Sequence, residues 1–225
     1  MIGWNFGVLG ASLALVSIPA MAQEAGTVPQ PTRERAEVAL GVLRHGADFH
    51  PLGSKLVFNL PQLPPGQVYD GMEENGTTDV QLLYRSMPLR FLLKPRLTGK
   101  LQINTDGRTS FASAGAEWRQ HFLRGAVYVQ GGMGLTVIDG YRFTPDPFAP
   151  GISPMEARSR YVVYQRRTSF GSKVLFNPNA SIGVRLGTRW SAELAWEHYS
   201  HHSLFSAQNP GIDNVGIRLV RRFGH

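Results

Sequence analysis

Between Val127 and Val137 the chain alternates. Val127, Val129, Met133, Leu135 and Val137 are apolar, and they interleave with the small or polar Tyr128, Gln130, Gly132, Gly134 and Thr136. A two-residue period sends the two sets to opposite faces of a β-strand. Leu97, Leu101 and Ile103 interleave with Lys100, Gln102 and Asn104 in the same way. After Gln23 no segment offers the roughly 20 apolar residues that a spanning helix requires, and sustained 3.6-residue periodicity is hard to find. Alternating segments without spanning helices are the pattern of a barrel with lipid outside and a polar lumen.

Eight such segments follow one another, at 37–45, 79–84, 90–104, 109–119, 126–138, 169–186, 190–200 and 214–223. The sixth carries Asn177-Pro178-Asn179. Phe170, Val174, Phe176, Ala180, Ile182, Val184 and Leu186 keep even parity across that break, so one long strand with a bulge or rim at the Pro is expected. The fold class is therefore all-β, an eight-stranded antiparallel transmembrane barrel. Connections are expected to be long after odd strands and short after even ones, which makes the long ones external. The 46–78 loop, with Pro61, Pro64, Pro65, Glu73 and Glu74, and the 139–168 loop, with Pro145, Pro147, Pro150 and Pro154, are expected to be irregular and external. Asp106-Gly107 marks a tighter hairpin.

The apolar run from Val8 to Ile18, followed by Ala20-Met21-Ala22, looks like a removable export signal over 1–22, although its start holds no Lys or Arg. A short periplasmic segment over 23–36 and the barrel over 37–225 complete the expected organisation. The chain has no Cys, which excludes thiol catalysis and a disulfide framework. Its formal net charge of +7 suits an anionic partner, and the exported address favours a phosphorylated lipid surface over nucleic acid.

One cluster on this pattern carries chemistry. His198 and Ser200 are two residues apart and share parity with Leu194 and Trp196; Asp213 is in phase with Val215, Ile217 and Leu219. All three polar side chains thus fall on the apolar, lipid-facing side, at the outer ends of strands seven and eight. A Ser hydroxyl becomes a nucleophile when a neighbouring imidazole takes its proton and an acid orients that imidazole. Ser200, His198 and Asp213 are the expected holders of those roles. The nearby His201 and His202 point to opposite faces if the strand continues, and no Cys joins them, so no metal is expected. Glu193, Glu197 and Arg218 take the inward parity and are read as an interior ion-pair network, and Trp190 and Trp196 as interface anchors.

His198-Tyr199-Ser200, then Asn209-Pro210-Gly211-Ile212-Asp213-Asn214-Val215-Gly216-Ile217-Arg218-Leu219 and a closing Arg-Phe, resembles the C-terminal signature of the lipid A 3-O-deacylase (PagL, acyloxyacyl hydrolase-like) family. Leu40-Gly41-Val42, Ile103-Asn104-Thr105-Asp106-Gly107 with Thr109-Ser110, and Val129-Gln130-Gly131-Gly132 extend the similarity over about residues 37 to 223. The resemblance implies an outer-membrane esterase acting on the 3-position acyl chain of lipid A, with Ser200 as nucleophile, His198 as base and Asp213 as orienting acid where relatives hold Glu. It also implies Asn after the Ser, supporting the oxyanion; here that position is His201, whose imidazole N–H is the expected replacement. No cofactor is expected. The expected partners are lipopolysaccharide and the outer membrane, with a homodimer left open. Two alternatives stand beside this reading: a non-catalytic outer-membrane barrel, and a soluble lipocalin-type barrel whose apolar face points inward.

Overall fold

The computed structural model describes residues 35–47, 49, 74–91 and 93–223. The expected export signal, residues 23–34, most of the 46–78 loop and the last two residues lie outside the described residues. Eight strands form one closed antiparallel barrel, each paired with its neighbours in chain order. They are β1 (Ala36–His45), β2 (Thr77–Arg85), β3 (Arg96–Asn104), β4 (Phe111–Phe122), β5 (Val127–Ile138), β6 (Val174–Arg185), β7 (Trp190–Tyr199) and β8 (Ile212–Phe223). Closure between β1 and β8 leaves no open edge, which a backbone in lipid demands.

Strand slant sets the height of every side chain. A transverse row followed from Trp118 through Gly131, Ala180, Trp196, Val215, Arg44 and Thr78 returns to β4 at the level of Arg108, a shift of about ten residues per circuit, or a little over one per strand.

The alternation sorts as expected. Ile217 is 68% exposed and Leu194 57%, with Leu40, Leu101 and Leu135 comparably open, whereas Arg85, Lys100, Glu117, Glu193, Glu197 and Arg218 are buried inside. A lipocalin-type calyx has the opposite polarity, so that alternative is not what this sequence builds. Tyr84, Phe122, Trp190 and Phe223 stand on the outer face near the periplasmic ends of their strands, as a membrane-interface girdle.

The lumen is filled. Arg85 donates to Glu117 at 2.6 Å and to both oxygens of Glu193 at 2.8 and 3.0 Å. Lys100 bridges Glu117 and Glu197 at 3.1 and 3.0 Å, and Arg218 pairs with Glu197. The expected Glu193, Glu197 and Arg218 network is thus present and larger than the sequence indicated. Nearer the outer mouth, Phe111, Ile138, Phe170, Leu175, Tyr199 and Ile212 form an apolar plug, with the Phe111 and Tyr199 rings stacked 4.0 Å apart.

The structure also differs from the expected elements. The third strand starts at Arg96, not at 90, because Pro95 cannot join a ladder and Leu93 and Lys94 adopt positive φ. Connection lengths consequently do not alternate strictly: the periplasmic 86–95 is longer than the external 105–110. Residues 169–173 leave the sixth strand at Gly171, whose φ is +72°. Pro178 makes no bulge against β5, where register runs unbroken through Met133↔Pro178. Within the 139–168 loop lies a helix, α1 (Pro154–Arg166), started by Ser153, whose side chain accepts from the Glu156 N–H at 3.2 Å.

The network makes a prediction. Arg85→Ala leaves Glu117, Glu193 and Glu37 facing one another without their shared cation, and should destabilise the barrel by about 3–5 kcal/mol. Denaturant unfolding monitored by tryptophan fluorescence measures it; a shift under about 1 kcal/mol would show that the lumen is solvated instead.

Candidate active site

Ser200, His198 and Asp213 converge on the outer face of β7 and β8. His198 and Asp213 are directly opposed across the strand pair. His198 Nδ1 lies 2.9 Å from Asp213 Oδ1, and its Nε2 lies 3.0 Å from Ser200 Oγ. An acid at one ring nitrogen and a hydroxyl at the other fix the roles the ring can take: Nδ1 holds the proton given to the carboxylate, and Nε2 is left to accept from the hydroxyl.

Several neighbours hold this arrangement. Trp196 donates its indole N–H to Asp213 Oδ1 at 2.8 Å, and its ring stacks on His198 with a 6.0 Å centroid separation and an interplanar angle of 20°. Trp196 therefore supports the acid directly, a role beyond the interface anchor expected of it. Ser200 exchanges both backbone hydrogen bonds with Phe176, at 2.7 and 3.1 Å. The next exchanging pair along this ladder would be Pro178 and His198, but Pro178 has no N–H to give. Asn177 Nδ2 donates to the His198 carbonyl, at 3.1 Å. Gly211, at φ +66°, packs against the imidazole; a Cβ there would stand 3.2 Å from His198 Cε1 in a conformation L-residues disfavour.

His201 does not face the hydroxyl. Its ring is buried, Nε2 lies 3.0 Å from both the Phe170 and Gln208 carbonyls, and Nδ1 accepts from the Phe205 N–H. Nε2–H is thus committed to two carbonyls, and no ring donor remains for an oxyanion. The expectation raised for His201 is corrected accordingly: the imidazole ties the 200–211 loop to the 139–173 loop. Its own backbone N–H donates to Asn209 Oδ1 at 2.9 Å. His202 and Ser203 both have positive φ, in a tight reversal closed by the Leu204 N–H on the His201 carbonyl at 3.0 Å. Among the described residues no group of three or more His, Asp or Glu is placed to hold a metal ion.

A buried carboxylate organises the outer loops behind the site. Glu74 accepts from the Thr109 N–H and hydroxyl, the Thr168 N–H and Arg167, and contacts His45 at 3.3 Å. Beyond Thr168, the Ser169 and Phe170 carbonyls receive Gln208 and His201 of the site loop. Burial works against the Glu74 charge, but the hydrogen bonds from His45, Thr109 and Thr168 and the Arg167 charge outweigh it and hold the carboxyl at about 2. A depressed carboxyl stabilises above its ordinary value of 4.5 and loses that stabilisation as pH falls toward 2, a swing of about 3 kcal/mol. Acidification through this window should therefore loosen residues 105–110 and 166–170 in hydrogen exchange. In Glu74→Gln the same residues should exchange fast at neutral pH and respond little to acid; an unchanged pH response would remove Glu74 from this role.

A family profile described as "Lipid A 3-O-deacylase (PagL)" matches residues 89–222, more than half of the chain. Among solved structures, the crystal structure of the outer membrane enzyme PagL is similar over 84% of this chain and 99% of its own, at 12% identity and a TM-score of 0.50. The outer membrane protein Ail of Yersinia pestis, in a phospholipid bilayer nanodisc, shares the same identity and coverage with a TM-score of 0.40. At 12% identity the PagL likeness speaks to the barrel alone. No curated protein matches the chain.

Proposed function

Because this chain belongs to the lipid A 3-O-deacylase (PagL) family and resides in the bacterial outer membrane, we propose that it hydrolyses the 3-position ester of lipid A through an acyl-enzyme on Ser200. The observation that carries this reading is the continuous chain from Asp213 through His198 to Ser200 on the lipid-facing side, with contacts of 2.9 and 3.0 Å.

The chemistry follows from the contacts. Ser200 Oγ adds to the ester carbonyl carbon as its proton passes to His198 Nε2. The tetrahedral species collapses by breaking the bond to the sugar oxygen, which takes that proton and leaves as a hydroxyl. A water molecule then gives its proton to His198 and attacks the acyl carbon, and the proton returns to Ser200 Oγ as the fatty acid departs. Asp213 stabilises the imidazolium formed in both halves, and the Trp196 N–H keeps Asp213 aimed at Nδ1.

Position on the outer face suits a substrate that never leaves the bilayer. The ester lies at the boundary between head group and acyl chains, the depth at which the outer ends of β7 and β8 meet the membrane. Deeper on the same face, a shallow groove of about 660 Å³ runs over Ile182, Ala192, Leu194, Ile217 and Val42, where the small Ala192 side chain leaves room for an acyl tail.

Ser200→Ala should leave a folded barrel and reduce release of 3-hydroxy fatty acid from purified lipopolysaccharide by at least about 10³-fold. Trp196→Phe keeps the ring and deletes one donor to Asp213, so a loss of about 3- to 10-fold in kcat with little change in KM is expected. Undiminished fatty-acid release by Ser200→Ala would exclude the proposed nucleophile and favour a non-catalytic role for this constellation.

A further inference from the structure

The eight strands turn very few formal charges outward. On the outer face of the described strand residues stand Arg44, Asp213 and Arg221. Asp213 belongs to the site. Arg221 lies near the periplasmic rim with its guanidinium 5.6 Å from the Trp190 ring. Arg44 alone has no account: it is exposed, follows Val38, Leu40 and Val42 along a lipid-facing row, and forms no ion pair among the described residues.

Its height gives it meaning. Arg44 pairs across β8 with Val215, which pairs with Trp196 of β7. The slant of a little over one residue per strand lifts the level matching Arg44 outward from Val215 to about Asp213, and from Trp196 to about His198. Arg44 and His198 thus stand at one depth, two strands apart, with backbones separated by roughly 10–12 Å and Asp213 between them. An arginine side chain spans much of that gap, and its planar fork matches phosphate oxygens.

We propose that Arg44 binds a phosphate on the head group of the lipid whose ester is presented to Ser200, and so selects phosphorylated glycolipid and sets its register on the barrel. The inference rests on the deacylase reading above and adds a recognition element on β1. The chemistry demands an anion on the sugar scaffold close to the scissile ester; an anionic phospholipid head group offers the same charge without that geometry.

The measurement separates a phosphate on lipid A from an anionic phospholipid head group, and binding from hydrolysis. Binding is measured in nanodiscs with the Ser200→Ala barrel and with Ser200→Ala/Arg44→Gln, against lipid A, lipid A dephosphorylated enzymatically, and phosphatidylglycerol. The expected result is about tenfold weaker binding of phosphorylated lipid A on loss of Arg44, no change for the dephosphorylated form, and no matching loss for phosphatidylglycerol. Arg44→Lys should recover part of the binding. Equal losses on both forms of lipid A, no loss on either, or the same loss on phosphatidylglycerol would overturn the proposal, the last by making Arg44 a general membrane anchor. Hydrolysis by the unmodified barrel is scored separately: phosphate-dependent binding with no fatty acid released would refute the deacylase reading and leave the Arg44 result standing.

Discussion

A strand backbone in hydrocarbon has no water to bond, so every N–H and C=O of the wall must find a partner in the wall. Closure of eight strands satisfies that demand, and closure in turn fixes which side of the wall each residue takes. Everything distinctive about the site follows from this sorting. Ser200, His198 and Asp213 meet because they share the outward parity on neighbouring strands, and they meet on the side where lipid is the solvent. Where the wall itself lacks a donor, at Pro178, the Asn177 side chain supplies one to the His198 carbonyl, so the backbone under the imidazole stays bonded.

The same sorting loads the lumen with charge. Arg85, Lys100 and Arg218 are each shared between carboxylates, and Glu117, Glu193 and Glu197 each meet two of these cations, so the loss of one member unbalances several ion pairs at once. Such a filling makes poor sense for a conduit and good sense for a rigid support. The wall that carries the site is braced from within by this network and by the apolar plug around Tyr199, whose own neighbours along the strand are His198 and Ser200. Above the plug, Glu74 gathers the outer loops, and through residues 168–170 that order reaches His201 and the loop joining β7 to β8.

Much of this was legible in the sequence because period-two alternation survives translation into structure almost unchanged. The parity of Leu194, Trp196, His198 and Ser200 specifies the outer face, and the inward parity of Glu193, Glu197 and Arg218 specifies the lumen. What could not be read is what depends on cross-strand neighbours or on loops. The Trp196 bond to Asp213 needs a diagonal contact between strands, which parity alone does not specify. His201 follows Ser200 directly, but its chain has already left the ladder and turns through left-handed residues, so strand geometry does not carry over to its ring. The helix over Pro154–Arg166 carried its own start signal, Ser153 with Glu156 three residues on and Pro154 at the first turn. Among the prolines of that loop, Pro145, Pro147 and Pro150, the signal does not stand out in sequence. Arg44, two strands from the site in space and over 150 residues away in sequence, became meaningful only through the slant of the barrel.

A nucleophilic serine working on the lipid-facing wall must react with serine-directed reagents that reach it from the membrane. Treating the folded barrel with a lipid-soluble fluorophosphonate and locating the added mass by peptide mass spectrometry decides this. One modification is expected, on Ser200, lost when His198 is replaced by Asn while the barrel stays folded. Modification of a different serine, or full deacylation of lipid A by a barrel whose Ser200 is blocked, would contradict it.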